Sequence, residues 1–179
     1  MSLHVLERPA EGAAQGTLVL LHGRGADEHD LYPLLDALDP ERRLLGLTPQ
    51  GPLTLSPGGR HWYRLGGIPT PDPDTFWPSF VELSELVDGL SGPVVLGGFS
   101  QGAVMSYAVG LGRKPDKRPA ALLTLSGFMP SVDALELDLT DLDGFPAAIA
   151  HGTLDPVIAV DYSRAARDVL AAAGADVAY

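Results

Sequence analysis

The chain has no cysteine in its 179 residues, which excludes disulfides, thiolate metal ligands and thiol nucleophiles. Positive charge is also scarce: twelve Lys and Arg stand against 23 Asp and Glu, for a net charge of -11. Nucleic-acid binding needs clustered cations to displace phosphate counterions, so this balance argues against it, and an anionic membrane surface is disfavoured for the same reason. Long apolar runs are missing; Leu18-Val19-Leu20-Leu21 is far too short to span a bilayer, so no stable membrane insertion is expected. The N-terminus, Met1-Ser2-Leu3-His4-Val5-Leu6-Glu7-Arg8, lacks the basic head and apolar stretch of a secretory signal, and a cytoplasmic location is the expectation. Repeats and phosphate fingerprints are absent too. Gly23-Arg24-Gly25 lacks the third glycine of a dinucleotide site, and no Walker-type lysine follows a glycine loop. Asp27-Glu28-His29-Asp30 reads as the acidic first turn of a helix rather than a metal cluster, so neither a metal nor any other cofactor is expected.

What the chain does contain is 45% hydrophobic residues, enough to build one core, and residues 1–179 are read as a single domain. Thr17 to Leu21, Leu44 to Leu47, Val94 to Leu96, Ala120 to Leu125 and Pro146 to Ala150 are short apolar runs of the kind buried on both faces of a sheet. Between them, Asp27 to Leu38, Phe76 to Leu90 (capped by Asp74 and Thr75), Ala103 to Val109 and Ser163 to Ala173 carry helical spacing or composition. Ala175 to Tyr179 starts one more strand. Thr48 to Thr75 is rich in Pro, Gly and Arg and reads as a long ordered loop. This alternation predicts an α/β fold, a mostly parallel sheet with helices on both faces, which binds ligands at the carboxyl ends of its strands.

Gly98-Phe99-Ser100-Gln101-Gly102 falls between a strand and a helix. A serine on such a tight turn projects its hydroxyl above the sheet, with free helix N–H groups beneath it for a developing oxyanion. Ser100 is therefore the candidate nucleophile. A serine hydroxyl needs a base, and the base needs a carboxylate to orient it; Asp155, on a loop after a strand and fixed by Pro156, is the candidate acid. A turn-capping role for Asp155 is the structural alternative. Trp62, Tyr63 and Leu65 from the long loop, with Phe128 and Met129, are candidates for an apolar substrate wall, or else they pack the loop onto the sheet.

Leu21-His22-Gly23-Arg24-Gly25-Ala26-Asp27, Gly97-Gly98-Phe99-Ser100-Gln101-Gly102, Leu125-Ser126-Gly127-Phe128-Met129-Pro130 and His151-Gly152-Thr153-Leu154-Asp155-Pro156 follow one another in an order that resembles the carboxylesterase and phospholipase-type serine hydrolases, which include acyl-protein thioesterases, within the α/β-hydrolase superfamily. The resemblance implies Ser100 as nucleophile, Asp155 as triad acid, and the backbone amides of Arg24 and Gln101 as the oxyanion hole. It implies a small-molecule ester or thioester as substrate, cleaved through an acyl-enzyme. The Arg24 side chain is expected to favour an anionic acyl group.

One departure stands out. The resemblance places the catalytic histidine about thirty residues beyond the acid, whereas only 24 residues follow Asp155 and none is histidine. The base and a final strand and helix are therefore expected beyond residue 179, with little turnover from these residues alone and a homodimer as a way of covering the exposed sheet. Of the five histidines, His22 is expected to organise its loop, His61 and His151 are weighed as substitute bases, and His4 and His29 read as solvated. A binding or scaffold protein that keeps the fold without a working base is the alternative.

Overall fold

The computed structural model describes residues 3–179. In chain order its elements are β1 (Val5–Arg8), β2 (Thr17–Leu21), α1 (Tyr32–Leu38), β3 (Leu45–Pro49), β4 (Leu53–Thr54), β5 (Arg60–His61) and α2 (Pro73–Asp88). There follow β6 (Val94–Phe99), α3 (Gln101–Leu111), β7 (Ala121–Leu125), β8 (Pro146–Ala150), α4 (Asp161–Ala172) and β9 (Asp176–Ala178). Seven strands form one sheet in the order β1-β3-β2-β6-β7-β8-β9, parallel except for the antiparallel β1–β3 pair, and β4 with β5 makes a separate two-stranded ribbon.

The sheet's two faces are covered unequally. On one, Val19, Leu21, Leu96, Leu122 and Ile149 pack under α2, α3 and α4. Every residue of α3 is buried, as a helix that is apolar on all sides apart from Gln101, Ser106 and the Tyr107 hydroxyl requires. On the other face α1 supplies the cover, packing Leu35 against Leu18 and Leu20. Beyond α1 an apolar hollow of about 420 Å³, lined by Leu18, Leu44, Val95, Leu123, Ala148 and Ala178 among others, lies open.

The mostly parallel architecture is the expected one, and several boundaries moved for identifiable reasons. The helix read from Asp27 begins at Tyr32, because Pro33 fits only the first turn, while Asp27 closes a turn by accepting from the His29 backbone at 3.0 Å. The cap of α2 is Asp72 rather than Asp74 or Thr75: its carboxylate accepts from Thr75 N at 3.1 Å, and Pro73 takes the first helical position. A further strand from Ala175 was expected, and β9 forms the edge beside β8.

Edge strand β1 was not anticipated. It ends on Arg8, which is only 2% exposed. The guanidinium meets Asp39 at 2.7 Å and donates to the carbonyls of Leu35, Asp39 and Leu44, so the buried charge is paired and tied to both ends of the α1 to β3 connection.

Candidate active site

Strand β6 turns into α3 through one residue, Ser100, at φ 53° and ψ −115°. A non-glycine residue held at positive φ carries strain, and here it lifts the side chain off the sheet. The turn is fixed by Ser100 N donating to Leu125 O at 2.9 Å and by its own carbonyl accepting from Val104 N at 3.1 Å. The flanking glycines are dictated by contact. A β-carbon on Gly98 would sit 2.6 Å from the Leu21 carbonyl oxygen, and one on Gly102 would overlap that same oxygen.

The loop after β2 is held from three sides. His22 is buried; its Nδ1 donates to Gly23 O at 2.7 Å, and its Nε2 accepts from Gly51 N at 2.9 Å. That pair of bonds requires the neutral ring, and burial lowers the tendency of His22 to protonate. The Trp62 indole N–H donates to His22 O at 2.9 Å. Farther along, Gly25 N donates to Arg60 O and Arg60 N donates to Ala26 O, both at 2.7 Å, so the β4–β5 ribbon is laced to the loop bearing Arg24.

Gln101 connects the turn to the long loop. Its buried side chain accepts from Trp62 N at 3.1 Å and donates to Tyr63 O at 2.8 Å. The Ser79 hydroxyl of α2 donates to Trp62 O, adding a second anchor for that residue.

Asp155 sits on the loop after β8. Its Oδ1 accepts from Val157 N at 2.8 Å and Ile158 N at 3.0 Å, and its Oδ2 lies 3.4 Å from His151 Nε2. These two amides first, and then His151, hold its carboxyl below the usual carboxylate range. His151 has no exposed side-chain surface. Its Nδ1 bonds the Ser163 hydroxyl and its Nε2 faces Ile158 O at 2.8 Å, so both nitrogens are committed to bracing the acid loop.

Ser100, Gln101, Arg24 and Asp155 line one cavity of about 350 Å³, whose walls include Tyr63, Leu65 and Phe128. Two residues expected on that wall are elsewhere. Trp62 is fully buried, its indole spent on the His22 carbonyl, and Met129 packs against the main core. Ser126 lines the cavity too, and Ile68, Phe99, Val157 and Ile158 do so without having been singled out. Phe99 and Ser126 lay in plain view inside motifs, and nothing in the residue pattern marked Ile68. No histidine is among the lining residues.

A mostly parallel sheet with helices on both faces, carrying a serine on a strand-to-helix turn and a carboxylate on a later strand's loop, defines the α/β-hydrolase class. Residues 4–178 match the phospholipase/carboxylesterase family, and the chain belongs to that family of ester-cleaving hydrolases. It is 29% identical over 181 residues to acyl-protein thioesterase 1 of Yarrowia lipolytica, covering 90% of this chain and 79% of that one. It is 29% identical over 161 residues to the putative hydrolase MhqD of Bacillus subtilis, covering 86% and 75%. Among solved structures it resembles the Bacillus cereus carboxylesterase at a TM-score of 0.82 and 23% identity, covering 98% and 82%. Esterase PE8 is similar at a TM-score of 0.78 and 26% identity, covering 99% and 87%.

Proposed function

We propose that Ser100 is the nucleophile of a serine hydrolase, attacking the carbonyl of an ester or thioester to form an acyl-enzyme that water then releases. The observation that carries this reading is the positive φ of Ser100 between two glycines that admit no β-carbon, at the floor of a cavity shared with Asp155. The backbone amides of Arg24 and Gln101 are assigned to the tetrahedral oxyanion, and the bonds of His22 and the β4–β5 ribbon to the first of these loops support its rigidity. Asp155 is assigned to orient the base; two amides on Oδ1 keep it ionised while Oδ2 faces His151. A cytoplasmic setting fits this chemistry.

Neither His22 nor His151 is free to take the Ser100 proton, since both ring nitrogens of each are engaged. That observation favours the second reading, a fold kept for binding. A fluorophosphonate probe separates the two. We expect one phosphonyl adduct on Ser100 by mass spectrometry, slow without an added base, faster when imidazole is added as proton acceptor, and abolished in Ser100→Ala. No adduct under either condition, in protein that is folded, would overturn the enzyme reading in favour of the binding one.

A further inference from the structure

Ten of the twelve cationic side chains are arginines, and seven of these ten are ion-paired: Arg8, Arg42, Arg43, Arg113, Arg118, Arg164 and Arg167 each lie within 4.0 Å of a carboxylate. The remaining three are Arg24, Arg60 and Arg64, and among the described residues none has such a partner. All three belong to the oxyanion loop or to the long segment laced to it. In a chain of net charge -11 a cation meets a carboxylate easily, so an arginine without a carboxylate partner on the cavity wall, with two more on the segment laced to its loop, is a departure from the other seven. Arg24 is exposed and is the one cation lining the cavity; its counterpart there, Asp155, has Oδ1 on two amides and Oδ2 beside His151. The remaining wall is largely apolar, with Tyr63, Leu65, Phe99 and Phe128.

We propose that the cavity selects esters or thioesters whose acyl chain ends in a carboxylate: the hemi-esters of short dicarboxylic acids. This deepens the serine-hydrolase reading and rests on it, because the Arg24 amide is there assigned to the oxyanion. With the scissile carbonyl at that amide, the guanidinium of the same residue is placed a few bonds away along the acyl chain. A planar fork of donors meets a carboxylate in two parallel hydrogen bonds, while the apolar wall holds the intervening methylenes. Arg60 and Arg64 add long-range attraction that salt screens.

The test is binding to Ser100→Ala protein, followed by NMR titration with monomethyl glutarate, dimethyl glutarate and 4-acetoxybutyrate at low and high NaCl. We expect monomethyl glutarate to bind at least about tenfold more tightly than the neutral diester at low salt, with the advantage shrinking at high salt. Arg24→Gln should reduce that ratio to near one, and Arg64→Gln should reduce it only slightly. Equal affinities for the two glutarates, or a ratio untouched by Arg24→Gln, would overturn the proposal. A gain for 4-acetoxybutyrate instead would also overturn it, since the anion would then be read on the alcohol side. Because no turnover is needed, these results stand apart from the phosphonate labelling: loss of charge selection leaves Ser100 adduct formation intact, and the reverse holds as well.

Discussion

Gly102 shows how little freedom the turn at Ser100 has. A methyl group there overlaps the Leu21 carbonyl, which belongs to the neighbouring strand and cannot move without breaking the β2–β6 ladder. Gly102→Ala is therefore expected to cost about 2–4 kcal/mol, read from the urea midpoint; a midpoint within the usual surface-substitution range of about 0.5 kcal/mol would show that the turn yields. The turn at Ser100 was legible because spacing, not only residue type, carried it: glycine, serine, glycine between a strand and a helix. Trp62 was left between a wall and a packing role, and takes the packing one, for a corresponding reason. A sequence gives the aromatic surface of a tryptophan but not whether its N–H is needed, and here the His22 carbonyl needs it, so the ring is drawn beneath the loop instead of onto the cavity wall.

Among the elements, the central parallel strands were readable because burial on both faces leaves continuous apolar runs. Strand β1 escaped because a strand ending on arginine reads as solvent-facing unless its carboxylate partner, Asp39, is known to lie beside it across 31 residues of chain. The β4–β5 ribbon escaped because two-residue strands have no period to read. What holds the long segment is polar: Gln101 satisfies Trp62 N and Tyr63 O at once. Gln101→Leu leaves both unsatisfied, and the cost should be about 2–3 kcal/mol, with limited proteolysis between residues 50 and 75 accelerated severalfold. Leu65→Ala, at a side chain 64% exposed, should change neither measurement. Equal protease resistance in the two variants would show that Gln101 is not the anchor.

For the molecule as a whole, pH dependence follows from its buried rings. The folded chain holds His22 and His61 below their ordinary value of 6.5, chiefly by burial, while the unfolded chain protonates them near it. Below about pH 6.5 the unfolded state thus binds more protons, and stability falls as pH drops through that region. Carboxylates held low by hydrogen bonds, Asp155 and Asp39 among them, extend the loss to lower pH. The urea midpoint should decline from pH 8 to pH 5, and a flat profile would contradict the neutral His22 ring. The long segment beside that ring is divided in a way that matters for its future as much as its present. Its first half, through Tyr63, is bonded to His22 and Gln101 beside the Ser100 turn, so change there disturbs the turn's surroundings; its second half, Arg64 to Ile68, stands mostly exposed at the rim. Selection in the laboratory or in nature has in that half a stretch where diet can be rewritten while the turnover apparatus behind it is inherited unaltered.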